Sequence, residues 1–185
     1  MPDEAYWNSL FEISKIVDWL EIEKLKDPIV EIGCGYGTFT VPIAKETRSK
    51  VLTYDIDPLM IAFAQNNVIA AGLTNVNFEE RDVFDRGTGL ESNSVGMIAL
   101  FNILHFDQRR VMLEEAARIL KPSGVAAIIH WRKDIETPRG PMISTRPDQD
   151  IILNAIEGLD LHLLSDSKIF EPYHWGIQLF KGEIK

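Results

Sequence analysis

Three carboxylates, Glu31, Asp55 and Asp82, each stand at or near the end of a short apolar or alternating run: Val30-Glu31-Ile32, Val51-Leu52-Thr53-Tyr54-Asp55 and Val76-Asn77-Phe78-Glu79-Glu80-Arg81-Asp82-Val83. The first run passes into Gly33, Gly35 and Gly37, glycines spaced two apart. A turn without side chains accepts positive φ and lets a flat polar ligand approach bare backbone amides. Asp55 follows Gly33 by 22 residues, an interval that returns a second parallel strand beside the first. Its carboxylate then points into the same crevice, where it accepts both hydroxyls of a ribose. The competing reading makes the acid a helix cap, a task for which Asp57 before Pro58 is better placed. Ile56 offers an apolar face for a base. His105 lies just past a strand end, either as a base facing substrate or as a hydrogen-bonded structural residue.

Elements of the right kind surround these residues. Ala5–Glu23 carries Trp7, Leu10, Phe11, Ile16, Val17 and Leu20 at helical spacing and predicts one amphipathic helix. After the glycine turn, Thr38–Ala44 begins a helix with Pro42 in its first turn. Leu59–Ala71 reads as a helix stopped at Gly72, and Ser92-Asn93-Ser94 as a turn. Val95–Phe101 is nearly all apolar, as a central parallel strand requires. A helix over Asp107–Leu120, broken by Lys121-Pro122-Ser123-Gly124, precedes a fifth strand at Val125–Trp131. Five alternations of strand and helix imply a parallel sheet with right-handed crossovers.

Arg132–Pro147 holds three prolines, Gly140 and no apolar periodicity, which predicts a long loop. A loop of that length serves either as a lid or as a solvated connection. Arg132, Lys133, Arg139 and Arg146 outnumber its acids, so Arg132, Arg139 and Arg146 are candidates for holding an anionic substrate. A helix at Asp148–Glu157 and strands at Leu159–Leu164 and Trp175–Phe180 complete the chain.

The acid, the alternating glycines and the later strand-end acids resemble the class I S-adenosylmethionine-dependent methyltransferases. In a dinucleotide fingerprint the third glycine sits three positions after the second; here the interval is two, which disfavours a nicotinamide oxidoreductase. The resemblance implies a Rossmann-like, doubly wound α/β fold: a mostly parallel seven-stranded sheet, helices on both faces and an antiparallel C-terminal strand pair. It implies that Glu31, Gly33, Cys34, Gly35, Gly37, Asp55 and Ile56 bind the cofactor. Asp82 would bind the adenine amine and the Val83 amide its ring, with Asn102 near the methionine part. It also makes residues 1–25 a covering helix, in which Tyr6 or Trp7 either closes over the cofactor or anchors packing. One departure is Gly96, where the family usually has an acid. Thr137–Pro141 and Pro172–Gly176 are similar to stretches in a branch of small methyltransferases. The activity implied is methyl transfer to a small-molecule acceptor, leaving S-adenosylhomocysteine. His105, Tyr173 and His174 are candidates for a general base. The alternative is a methyltransferase-like binding or regulatory subunit without turnover.

Composition narrows the field. At 185 residues, 45% hydrophobic and 25% charged, the chain suits one globular domain over residues 1–185. A net charge of −9 argues against an extended phosphate-binding surface, so nucleic acid is disfavoured. The lone Cys34 can form neither an intrachain disulfide nor a thiolate cluster, and the four histidines lack ligand spacing, so no metal is expected. Without a long apolar run or a basic leader, the expectation is a cytoplasmic monomer or homodimer.

Overall fold

The computed structural model describes residues 2–182. Its eight strands are β1 (Ile29–Ile32), β2 (Val51–Asp55), β3 (Val76–Glu80), β4 (Val95–Phe101), β5 (Leu120–Trp131), β6 (His162–Leu163), β7 (Lys168–Phe170) and β8 (His174–Phe180). They form one sheet in the order β3-β2-β1-β4-β5-β8-β6, with β7 pairing β8 off that path. The five strands from β1 to β5 run parallel. β8 is antiparallel to β5, β6 and β7. The fold is therefore the Rossmann-like one expected, with one strand more. The addition is β7, whose Phe170 is fully buried, its ring 5.2 Å from that of Trp19.

The helices are α1 (Glu4–Asn8), α2 (Ile13–Leu20), α3 (Thr40–Glu46), α4 (Pro58–Ala70), α5 (Val83–Arg86), α6 (Arg109–Ile119) and α7 (Gln149–Ala155). α2 and α3 cover one face of the sheet, burying Ile16, Val17, Leu20, Ile43 and Ala44. α6 and α7 cover the other with Met112, Leu113, Ala116, Ile119 and Ile152. All seven residues of β4 are buried, which explains a run without alternation. Gly96 on that strand has a local cause: a Cβ there would lie 2.8 Å from Cβ of Asp27. Any side chain at this position would have to displace Asp27.

Several expected boundaries move. The single helix over residues 5–23 is two, because Leu10 and Phe11 both turn inward and the Ser9 hydroxyl bonds the Tyr6 carbonyl at 2.7 Å. A 3-10 turn, Ile22–Lys24, follows. β3 stops at Glu80, and Asp82 caps α5 instead of ending the strand. Lys121–Gly124, expected as a breaker, lies inside β5 as an irregularity: Val95 pairs Leu120, whereas Met97 pairs Val125. Of Leu159–Leu164 only His162–Leu163 is strand. The loop at 132–147 is found, with one 3-10 turn at Ile143–Thr145.

Candidate active site

Parallel strands all present their carboxyl ends at one edge, so the residues that follow β1, β2 and β4 converge there. The turn after β1 has positive φ at Gly33 (84°), Gly35 (51°) and Gly37 (81°). At Gly37 a Cβ would also sit 3.3 Å from Ala64 of α4, so the turn packs directly on that helix. The amides of this turn are not bare. Gly33 N–H donates to Tyr54 O at 2.7 Å, Gly37 N–H to Cys34 O at 2.8 Å and Gly35 N–H to Asp55 Oδ2 at 3.0 Å. The expectation of free amides is thus corrected; the turn offers close approach of backbone, with its donors already committed.

Asp55 ends β2 as predicted. Besides Gly35 N–H it accepts Asp57 N–H on Oδ1 at 3.0 Å, so each oxygen retains a lone pair. Asp57 is the helix cap, accepting Leu59 N–H at 2.9 Å. The two acids divide the tasks as their spacing implies. Asp82 accepts from the amides of Phe84 and Asp85 through Oδ1 alone.

Between these ends lies a crevice of about 560 Å³, whose lining includes Gly33, Asp55, Ile56, Asp82, Val83 and Phe106. Asp85 and Arg81 also line it. Three carboxylates thus face one guanidinium, and Arg81 is already paired with Glu79 at 2.6 Å. Such a site favours a ligand with positive charge near polar hydroxyls and an apolar ring.

Glu31 and Cys34 lie beneath the turn, both buried. Glu31 Oε2 accepts the hydroxyls of Thr40 at 2.5 Å and Thr53 at 3.1 Å. Burial pushes its carboxyl up to about 7, against those two hydrogen bonds. Burial also pushes the Cys34 thiol well above its ordinary value, so it is not a thiolate at neutral pH.

Asn102 follows β4 in the left-handed region (φ 59°), its backbone N–H donating to Ile129 O at 2.8 Å. Its Oδ1 is buried without a partner. The His105 ring is tilted against Phe106 with centroids 4.1 Å apart and lies 5.7 Å from His130. Burial lowers the pKa of His105 and brings that of His130 down to about 3. His130 was not among the candidates; the one visible signal was a polar residue closing the apolar run Val125–Ile129.

His174 lies elsewhere, on the sheet face that carries Trp131. It is fully buried, stacked on Phe11 at 4.3 Å and against Trp131 at 4.2 Å. Burial takes its pKa to about 3. Tyr173 contacts the other side of that cluster, 6.3 Å from Trp131. Neither residue lines the crevice. In the 132–147 loop, Arg146 is buried and donates to the carbonyls of Arg132, Pro141 and Arg139 at 2.7, 3.0 and 3.4 Å. Arg132 pairs with Asp134 at 2.8 Å and Glu171 at 3.5 Å. These two cations are occupied in holding the loop, and Arg139 rests over the Tyr6 ring at 5.9 Å. Among the described residues no group of three or more metal-ligating side chains occurs.

The family profile described as "Methyltransferase domain" matches residues 29–124, from β1 to the irregularity in β5. A SAM dependent methyltransferase from Aquifex aeolicus shares the fold with a TM-score of 0.79 and 22% identity, over 97% of this chain and 94% of that one. A tRNA/tmRNA (uracil-C(5))-methyltransferase from Campylobacter lari is 38% identical over 155 residues, which are 80% of this chain and 42% of that protein. A probable ribosomal RNA small subunit methyltransferase A from Methanosphaera stadtmanae is 27% identical over 115 residues, 57% of this chain and again 42% of its relative. The chain thus spans under half the length of these curated relatives.

Proposed function

The chain belongs to the methyltransferase-domain family, and on that premise we propose that its crevice binds S-adenosylmethionine and that residues 1–185 act as one domain transferring methyl groups to a small-molecule acceptor. The observation that carries this reading is the Asp55 carboxylate at the end of β2, facing a crevice with three acids and apolar walls. When bound, S-adenosylmethionine supplies an activated methyl carbon: the bond to the acceptor nucleophile forms as the sulfonium–carbon bond breaks, its electron pair returning to sulfur to leave S-adenosylhomocysteine.

The chain's own residues have distinct tasks in this reading. The remaining lone pairs of Asp55 accept ribose hydroxyls, Asp82 Oδ2 accepts an amine, and Ile56 and Val83 flank an aromatic base. Glu31 positions the glycine turn from below through Thr40 and Thr53, so its part is structural support. Neutral imidazoles with depressed pKa values are weak bases, so His105 and His130 contribute orientation more than proton removal. Alignment in a water-poor pocket then provides most of the acceleration, up to roughly 7–11 kcal/mol in favourable systems. A small acceptor accords with the crevice volume and with the net charge of −9.

Calorimetric titration with S-adenosylmethionine, S-adenosylhomocysteine and NAD tests the proposal. Wild-type protein should bind both adenosyl ligands at micromolar Kd and not NAD. Asp55→Ala should lower that affinity at least 100-fold. Because Asp55 also holds the Gly35 and Asp57 amides, its melting temperature should fall slightly as well. Absence of adenosyl binding by the folded wild type sinks the proposal, and cofactor binding without turnover on any acceptor would favour a regulatory subunit.

A further inference from the structure

Arg146 carries a buried charge that nothing in its surroundings cancels. The residue is 4% exposed, and its guanidinium donates to three backbone carbonyls, those of Arg132, Pro141 and Arg139. Carbonyl oxygens satisfy N–H groups without neutralising the ion, and a guanidinium has five N–H donors, two more than these bonds use. Burial is the one influence on its pKa, with no carboxylate acting against it. A buried ion without a counter-ion is costly to hold. The crevice does not explain it, because Arg146 is not part of the lining.

Two fully buried imidazoles adjoin this charge. His130 and Trp131 close β5, and Trp131 pairs with His174 at the start of β8, so both histidines stand at the same end of one antiparallel strand pair. Arg132 continues from β5: its N–H donates to Tyr173 O at 2.8 Å and its carbonyl accepts from Arg146, which brings the guanidinium to that end. The Arg146 charge accordingly acts on both imidazoles, and His130 acts on His174. Both nitrogens of His174 and Nε2 of His130 lack partners. Nδ1 of His130 lies 3.4 Å from the Trp131 carbonyl, long for a hydrogen bond, so its proton is free to move to Nε2. No acid acts on either Arg146 or His174, although the chain as a whole carries −9.

We propose that Arg146, His130 and His174 form a binding site for a carboxylate carried by the methyl acceptor, received beneath the 132–147 loop. The inference rests on the methyltransferase reading and names the acceptor class for it. One guanidinium neutralises one carboxylate, whereas a phosphate dianion would leave an excess charge buried. The two uncommitted N–H groups of Arg146 supply charge-assisted hydrogen bonds, and each neutral imidazole adds one N–H donor. The unpartnered nitrogens thereby gain a purpose, since buried polar groups are rarely left unmatched without one. Two contacts must part for the ligand to enter: Gly140 packs against Trp131, and Arg139 rests over the Tyr6 ring.

With only four histidines in the chain, their ring nitrogens are separable by long-range proton–nitrogen correlation spectra. The full-length protein, with and without saturating S-adenosylhomocysteine, is titrated with acetate and with benzoate. Acetamide and benzamide, which keep the shape without the charge, and inorganic phosphate serve as controls. Either carboxylate should move the His130 and His174 resonances saturably and bind at least 10-fold tighter than its amide or phosphate. Arg146→Gln removes the charge but also loosens the loop, so His174→Phe, which keeps a ring between Phe11 and Trp131, provides the second variant. His174→Phe should weaken carboxylate binding at least fivefold and change S-adenosylhomocysteine affinity less than about twofold. Equal binding of benzoate and benzamide overturns the proposal, as does undiminished carboxylate binding by His174→Phe. A response confined to His162 also overturns it, since that would mark a surface site on β6. Tighter binding of phosphate than of carboxylate overturns the assignment of a singly charged ligand. Failure of S-adenosylhomocysteine to bind, with the carboxylate response intact, would remove the cofactor reading and leave the carboxylate site standing.

Discussion

At the scale of single residues, the structure buries titratable groups whose pH responses oppose each other. Glu31 has a folded pKa near 7 and an unfolded one near 4.5, so the unfolded chain ionises first as pH rises. The stability it contributes is whole below pH 4.5 and is lost through 7, about 2 kcal/mol between pH 5 and 7.5. Glu31→Gln, which keeps an acceptor for Thr40 and Thr53, should remove this loss. Urea unfolding at the two pH values measures it. His174 runs the other way: its folded pKa is about 3 against an ordinary 6.5, so its contribution is full above 6.5 and falls away toward 3. His174→Phe preserves the ring between Phe11 and Trp131 and deletes two unpartnered nitrogens. Relative to wild type, this variant should gain about 2 kcal/mol on going from pH 7.5 to pH 5. An unchanged difference would mean that the imidazole is hydrated in solution. His162, the remaining histidine, lies partly exposed on β6, 3.7 Å from Asp160, and takes no part in either cluster.

Among the elements, the 132–147 loop and the N-terminal helices form a two-part cover over Trp131. Trp7 and Phe11 approach its indole from one side at 6.1 and 5.9 Å. From the loop side comes Gly140, with φ 108° and no room for a side chain: a Cβ would lie 2.9 Å from the indole ring. Gly140→Ala should therefore lift the loop at a cost of about 1–3 kcal/mol in local strain. Trypsin should then cut at Lys133 or Arg139 faster than in wild type, with the global melting temperature lowered by only a few degrees. A collapse of the whole fold would show that the loop is part of the core. Equal cleavage rates would show that the loop is already loose. The legible part of these elements was the loop itself, since prolines forbid regular structure. The division of labour within it was not, because the same arginine symbol stands for an exposed cation at Arg139 and a backbone clamp at Arg146.

Seen as a whole molecule, the acidic chain contrasts with the RNA methyltransferases whose partial sequences it matches. Phosphate-tracking surfaces depend on accumulated basic charge, and a net charge of −9 provides little of it. Filter binding should accordingly find no retention of tRNA or ribosomal RNA by this chain at physiological salt up to about 10 μM protein. Tighter, salt-sensitive binding would move the acceptor to nucleic acid. Among the described residues, no helix is long and apolar enough to cross a membrane.

The order of elements, the parallel sheet and the crevice acids Asp55 and Asp82 were determined by the sequence alone. These depend on local quantities: hydrophobic period, glycine and proline placement, and the fixed length of a strand-helix-strand unit. The tertiary structure decided what each polar group faces. It turned Glu31 downward onto Thr40 and Thr53, engaged the glycine amides with Tyr54, Cys34 and Asp55, buried His174 between Phe11 and Trp131, and set Asn102 beside His130. Those partners come from strands far apart in the chain, and burial, which sets the charge of a histidine or a glutamate, exists only once the strands have been brought together.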